Sequence, residues 1–115
     1  MGEITGPEGV RQRNLARLLR IVHLEGPVSR AALTDATALN RSTIGDLVAE
    51  LVSAGLVVEG APDAQRRVGR PSPTVAADRR VMAIAVNPEV DALEIAAVGL
   101  DRRIPVRHRI DVDHL

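Results

Sequence analysis

The sequence predicts an α+β chain in which a helical half precedes a β half. Between residues 10 and 54, apolar side chains recur at helical spacing. After Gly55 they form short runs that end at glycine, proline or asparagine, which is typical of strands and turns. The 115 residues include no Phe, Trp, Tyr or Cys. The core must therefore be built from Ala, Val, Leu and Ile, without disulfides.

The first helix is predicted to follow a short leader. Residues 1–9 contain three glycines and one proline, and we expect them to be disordered. The helix ends near Leu24, because Gly26-Pro27 cannot continue it. One apolar stripe runs along it, formed by Leu15, Leu18, Leu19 and Val22.

Two further helices are predicted, each behind a capping residue. The second covers about residues 30–37, and Ser29 is a suitable N-cap for it. The third covers about residues 41–54 behind Asn40, and Gly55 ends it. Its apolar side consists of Ile44, Leu47, Val48 and Leu51.

Two strands are predicted to follow the third helix. Residues 56–59 form the first, residues 60–67 a turn, and residues 73–76 offer a return strand. The order of three helices, a strand, a turn and a strand is that of a winged helix-turn-helix. We therefore expect residues 10–76 to be one such domain.

Residues 77–115 are predicted to form a short antiparallel meander. Its strands are residues 81–86, residues 92–98 and residues 105–110. Three short strands cannot bury two faces. We therefore expect them to be the first strands of a second, truncated domain, or to pack on a partner.

Charge and composition favour a cytoplasmic protein that binds double-stranded DNA. The net charge is zero, but residues 10–80 hold eleven Arg against seven acidic residues. Arginine is used to the exclusion of lysine, which a GC-rich genome would explain by itself, but its fork also suits phosphates and guanine edges. Without aromatic residues, base stacking on single strands is excluded. No apolar run approaches the length of a membrane span, and residues 1–9 lack the basic start and apolar stretch of a signal peptide.

The start of the third helix contains the candidate base-reading residues. Arg41, Ser42 and Thr43 can enter a major groove while the apolar side holds the helix to the core. The Arg41 guanidinium can donate two hydrogen bonds to one guanine, and the hydroxyls of Ser42 and Thr43 can hydrogen-bond to bases or phosphates. Asp46 would repel phosphate unless it accepts a hydrogen bond from cytosine or forms an ion pair with Arg41 or Arg30. The alternative for the group is that they are ordinary solvated residues at a helix start.

The start of the second helix is a candidate phosphate site. Arg30 is predicted to bind phosphate there, whereas Ser29 is first of all a cap. Gly45, inside the third helix, costs about 1 kcal/mol relative to Ala. It either allows a close approach of the DNA backbone or has no role.

Arginines at and after the turn between the wing strands are further candidates. Arg66 and Arg67 lie at or just past the tip, and Arg70 lies between Gly69 and Pro71. Such arginines can enter a narrow A·T minor groove. The alternative is an ordinary interdomain linker.

The remaining polar residues predict no catalytic, cofactor or metal site. His108 and His114 flank Asp111 and Asp113 at a spacing that suits a metal, but on a chain end we expect them to be solvated. No combination of Ser, His and Asp suggests a catalytic triad.

Taken together, the sequence resembles the N-terminal region of ROK-family transcriptional repressors, the relatives of the xylose and N-acetylglucosamine repressors. The resemblance covers about residues 10–110 and depends on the order and spacing of its segments. These are Val10-Arg11-Gln12-Arg13-Asn14, Gly26-Pro27-Val28-Ser29-Arg30, Leu33, Leu39-Asn40-Arg41-Ser42-Thr43-Ile44, Glu50-Leu51, Gly55-Leu56-Val57 and Gly69-Arg70-Pro71.

The resemblance implies a winged helix-turn-helix followed by an actin-like sugar-binding domain, of which residues 77–115 would be the first strands. The sequence departs from the family at Ala38, where Gly is usual, which predicts a turn that accepts a Cβ; Thr34 stands where Ala is usual. Kinase members have an Asp-x-Gly-x-Thr phosphate turn, but residues 85–90 contain no Gly or Thr. ATP binding and sugar kinase activity are therefore disfavoured.

The leading hypothesis is a homodimeric, sequence-specific DNA-binding regulator that represses sugar-metabolism genes. A sugar effector would act only through a domain absent from this chain. Two alternatives remain: a fragment of a ROK sugar kinase, and a winged helix used for protein contacts.

Overall fold

The computed structural model describes residues 6–60 and 72–113, which form three α-helices and two three-stranded antiparallel sheets. The α+β class is therefore confirmed. The chain divides into two compact units, Met1–Asp78 and Arg79–Leu115, each with its own sheet. In chain order the elements are α1 (Gly6–Glu25), β1 (Val28–Ser29), α2 (Arg30–Thr37), α3 (Arg41–Ser53), β2 (Val57–Gly60), β3 (Thr74–Ala77), β4 (Met82–Pro88), β5 (Ala92–Gly99) and β6 (Val106–Asp111).

The first helix starts earlier than the sequence predicts. α1 begins at Gly6, so residues 6–9 of the expected leader are helical. Within its predicted apolar stripe, Leu18 and Val22 are buried, whereas Leu15 and Leu19 are half-buried. The stripe therefore faces the core of the first unit.

Both predicted N-caps are confirmed. The Ser29 hydroxyl accepts a hydrogen bond from the backbone N–H of Ala32 at 3.0 Å. The Asn40 side-chain oxygen accepts one from the backbone N–H of Thr43 at 2.8 Å. Each cap satisfies a backbone donor that the helix itself leaves without a partner, and so fixes where the helix begins.

α3 is the central packing element of the first unit. It contacts α1, α2 and β2. Its predicted apolar side is buried, since Ile44, Leu47, Val48 and Leu51 are each at most 4% exposed. The other large buried side chains of this unit are Leu18, Val22, Leu33, Val57 and Val75. Because this core is wholly aliphatic, its stability depends on close packing of small side chains.

The sheet of the first unit contains one strand, β1, that the sequence did not predict. β3 is the middle strand, between β1 and β2. In the β1–β3 pair, Val28 lies opposite Val75 and Ser29 opposite Thr74. The backbone N–H of Arg30 then donates to the carbonyl of Pro73 at 3.0 Å. The start of α2 is therefore fixed to the sheet by backbone hydrogen bonds.

The turn between α2 and α3 needs a left-handed residue. Ala38 has φ 58° and ψ 15°, and its N–H donates to the Thr34 carbonyl at 2.9 Å. The turn therefore accepts a Cβ, as expected, but at the cost of a left-handed backbone that strains alanine. Arg17 donates to the last carbonyls of α2, those of Ala36 and Thr37, at 3.2 and 3.4 Å.

The second unit is the expected meander, with β5 between β4 and β6. The register places all large apolar side chains but one, Val98, on one face of the sheet: Met82, Ile84, Val86, Leu93, Ile95, Val106 and Ile110. Ile84, on the edge strand β4, is 69% exposed on this face. The opposite face is small and polar, and Arg107 on it donates to Glu94 at 2.6 Å. Only one face of this sheet is therefore suited to burial.

We expect Ala38→Gly to raise the free energy of unfolding by about 0.5–1 kcal/mol. The left-handed conformation costs a residue with a Cβ about 1–2 kcal/mol, and the greater freedom of glycine in the unfolded chain offsets about 0.4–1 kcal/mol of the gain. The control is Ala36→Gly in the last turn of α2, where glycine should destabilise by up to about 1 kcal/mol. Urea unfolding of both variants and of the wild type measures the two differences in the free energy of unfolding. Destabilisation by both substitutions would contradict the left-handed assignment.

Candidate nucleic-acid interface

The start of α3 combines a fixed inner side with an exposed outer side. Arg41, Ser42 and Asp46 are exposed and Thr43 is half-buried, whereas the adjacent Ile44 is buried. Within residues 6–60 and 72–113, Arg41 has no hydrogen-bond or ion-pair partner. Its charge is therefore available to a ligand.

Arg30 is held by a carboxylate that the sequence analysis did not identify. Its Nε donates to Glu59 Oε2 at 2.6 Å, and its Nη2 donates to Glu59 Oε1 at 2.5 Å. Glu59, and not Asp46, is therefore the carboxylate that pairs with Arg30 in the described residues. The hydrogen bonds to Glu59 raise the pKa of the Arg30 guanidinium above its ordinary value. The guanidinium is cationic at any physiological pH, and its orientation is set by a two-point contact.

The alternation of β2 explains why Glu59 reaches Arg30. Val57 and Glu59 lie on the same face of the strand, opposite Ala77 and Val75 of β3. Val57 and Val75 are buried on that face, which packs against the helices. Glu59 itself is exposed, at the end of this face where Arg30 lies within hydrogen-bond distance. That alternation is the sequence signal that could have singled out Glu59.

Gly45 makes room for the Arg30 guanidinium. A Cβ built on Gly45 would lie 3.3 Å from Arg30 Nη1. This is tighter than ordinary van der Waals contact, so the side chain of Arg30 passes directly over the bare Cα of α3. From the sequence, Gly45 was expected either to allow a close approach of the DNA backbone or to have no role. The structure gives a third reason for it within the protein.

One cavity brings two of the predicted site residues together. It has a volume of about 260 Å³ and lies between the starts of α2 and α3. We call it the α2–α3 cavity, and its lining residues are Arg30, Ala31, Thr34, Arg41, Ile44, Ser72 and Pro73. Ser42, Thr43 and Asp46 do not line it. Two arginines at an open cavity can bind an anionic group such as a phosphate.

Other predicted residues stand apart from this cavity. Arg66, Arg67 and Arg70 lie outside the described residues, as does His114. His108 is exposed on β6, and the described residues contain no cluster of three or more metal-ligating side chains. In the described ranges, no helix has the length and apolar character needed to cross a membrane.

Elsewhere, arginines of both units are paired with carboxylates. Arg11 of α1 forms an ion pair with Glu50 of α3, without hydrogen-bond geometry. On β6, Arg107 pairs with Glu94, and Arg109 lies within 3.0 Å of Glu89 and 3.4 Å of Asp111. These pairs reduce the cationic character of the β6 surface. Arg41 contrasts with them, because it combines exposure with the absence of a carboxylate partner in the described ranges.

Comparison with known proteins identifies a similar fold. No protein-family model and no curated protein sequence matches the chain. Among solved structures, a match is the crystal structure of a ROK family transcriptional regulator, described as a homolog of the E. coli MLC protein, with a TM-score of 0.61 and 23% sequence identity. The match covers 90% of this chain and 26% of that chain, so this chain spans about a quarter of that protein's length. The chain therefore shares its fold with part of a ROK family transcriptional regulator.

Proposed function

We propose that this chain is the DNA-binding part of a ROK-family transcriptional regulator. Residues 10–76 form a winged helix-turn-helix in which α3 is the recognition helix and β2 and β3 are the wing strands. Residues 77–115 are the first strands of a truncated actin-like sugar-binding domain. The fold shared with a regulator of this family over 90% of the chain supports the proposal.

The observation that carries the proposal is the asymmetry of α3. Its inner side is anchored by Ile44, Leu47, Val48 and Leu51, while Arg41 and Ser42 at its start are exposed. A helix that reads a major groove needs this combination, because base contacts require rigid placement and free polar side chains. Arg41, without a carboxylate partner in the described ranges, has the fork that fits guanine O6 and N7.

The other site residues have supporting roles in this proposal. Ser42 and Thr43 bond bases or phosphates near the start of α3, and Asp46 accepts a hydrogen bond from a cytosine amino group. Arg30 binds a backbone phosphate, which fixes the position of the protein on the duplex without reading sequence. Arg66, Arg67 and Arg70 add contacts to phosphates and to the minor groove.

The regulator works as a homodimer in the cytoplasm and is not an enzyme. Two recognition helices read a pseudo-palindrome whose half-sites are separated by turns of the duplex. The regulator represses sugar-metabolism genes, and a sugar bound to a domain outside this chain releases it from DNA. Residues 85–90, which contain no Gly or Thr for a phosphate turn, speak against the sugar kinase alternative.

Selection from a random duplex library tests the proposal directly. The full 115-residue chain should enrich a defined half-site, and its affinity should fall as salt rises because phosphate contacts release counterions. Below, the enriched sequence is called the selected duplex, and a scrambled sequence of the same length is called the random duplex. A winged helix used only for protein contacts would enrich no sequence and show no salt-dependent affinity for DNA.

Arg41→Ala should weaken binding to the selected duplex by about 1–3 kcal/mol and to the random duplex much less, because a fork on guanine distinguishes base pairs. Titration of both duplexes at fixed salt measures the difference. Arg107→Ala, on β6, removes the same charge and should leave the ratio of the two affinities unchanged. An equal loss on both duplexes with Arg41→Ala would show that Arg41 contacts phosphate only.

Arg70→Ala should lower the slope of log affinity against log salt by roughly one unit. If Arg70 enters the minor groove, the loss of affinity should be larger when the selected duplex has A·T-rich flanks, since their narrow groove attracts arginine. Four affinities, for two proteins on two flanks at fixed salt, give this coupling. A coupling near zero would assign Gly69-Arg70-Pro71 to a linker.

A further inference from the structure

We propose that Glu59 is a positioning residue for DNA contact. Its carboxylate holds the Arg30 guanidinium across Gly45, so that Arg30 binds one DNA backbone phosphate at the α2–α3 cavity, next to Arg41. This inference rests on the proposed function and deepens it, because it names the residue that prepares the phosphate contact.

The contact between Arg30 and Glu59 fixes the plane of the guanidinium. Nε and Nη2 donate to the two carboxylate oxygens at 2.6 and 2.5 Å, so the side chain cannot rotate without breaking both bonds. Nη1 is not used by Glu59 and lies over Gly45. The guanidinium therefore keeps N–H groups for a second anion while one edge is occupied.

The backbone at Arg30 is fixed as firmly as its side chain. The Arg30 N–H donates to the Pro73 carbonyl at 3.0 Å, and the Ala31 N–H donates to the Ser72 hydroxyl at 3.2 Å. Both ends of the Arg30 side chain are thus held before any ligand arrives. An arginine that is already ordered loses less conformational entropy on binding than a free one, which increases affinity and precision of placement.

Three elements meet at this point, and each contributes a necessary feature. α2 supplies Arg30, β2 supplies Glu59 on its core-facing side, and α3 supplies Gly45. The guanidinium therefore ties the position of the phosphate contact to that of the recognition helix. Because Arg30 and Arg41 line the same cavity, a phosphate bound by Arg30 would lie next to the side chain that reads the base.

Glu59→Gln separates positioning from simple charge. A carboxylate near the DNA repels phosphate, so its loss should strengthen binding to every duplex if charge alone matters. If Glu59 positions Arg30, the same substitution should weaken binding to the selected duplex, because glutamine offers one acceptor oxygen and no charge in place of the two-point contact. The two explanations predict opposite signs for one measurement.

The experiment uses the full 115-residue chain and the two duplexes defined above. Because the Arg30 phosphate contact sets the register in which α3 meets the bases, Glu59→Gln should lower affinity for the selected duplex about tenfold and change affinity for the random duplex much less. The matched control is Glu50→Gln, which removes the same charge and also breaks an ion pair with an arginine. It should change both affinities by the same small factor.

A double-mutant cycle assigns the effect to Arg30. In the Arg30→Ala background, Glu59→Gln should have no further effect on the ratio of selected to random affinity, because the residue it positions is gone. An undiminished effect of Glu59→Gln in that background would overturn the inference. So would a gain in affinity for both duplexes in the wild-type background.

Gly45→Ala provides a second variant that cannot fail by unfolding α3. Alanine favours a helix interior over glycine, so the melting temperature should rise. The added Cβ would lie 3.3 Å from Arg30 Nη1 and must displace the guanidinium by a few tenths of an ångström. Affinity for the selected duplex should therefore fall several-fold while stability increases. Unchanged affinity with raised stability would count against the role of Gly45.

A signal of the free protein distinguishes failure of this inference from failure of the proposed function. The Arg30 Nε–H resonance in a ¹⁵N spectrum should exchange slowly with water in the wild type and rapidly in Glu59→Gln. Rapid exchange in both proteins would show that Glu59 does not hold the guanidinium in one orientation. Slow exchange that depends on Glu59, in a chain that binds no duplex, would overturn the proposed function and reduce Glu59 to a structural partner of Arg30.

Discussion

The burial of one side of α3 is the constraint on which the rest of the first unit depends. Ile44, Leu47, Val48 and Leu51 occupy the centre of an aliphatic core, where α3 contacts α1, α2 and β2. Burying such side chains stabilises a fold by about 1.5–3 kcal/mol each. The helix therefore has one rotational setting, and that setting leaves Arg41 and Ser42 in solvent. The same packing that stabilises the unit thus decides which residues are available to a ligand.

Polar contacts at the edge of this core fix the starts of the helices and join α2 to the sheet. Asn40 caps α3, Ser29 caps α2, and the fork between Arg30 and Glu59 joins α2 to β2. At the side-chain exposures of this pair, 34% for Arg30 and 27% for Glu59, its contribution to stability is modest. Its main consequence is the fixed orientation of a cation beside the recognition helix of the proposed regulator.

Local features of the first unit were predictable, and long-range ones were not. The buried side of α3 follows from the helical period, and the caps follow from the hydrogen bonds that helix starts require. The pairing of Arg30 with Glu59 joins residues that are 29 positions apart and needs the fold before it can be recognised. The presence of Ala38 predicted a turn that accepts a Cβ, but its left-handed backbone was not predictable from the residue type. β1 has only two residues and is defined entirely by its partner strand.

The central claim is that the starts of α2 and α3 form the DNA-contacting surface. Amide chemical shifts of the ¹⁵N-labelled chain, followed while the selected duplex is added, test this most directly. We expect the largest changes at Arg30 and at Arg41, Ser42 and Thr43, with the amides of β4, β5 and β6 essentially unchanged. Changes concentrated in residues 82–111, with the start of α3 unaffected, would contradict it.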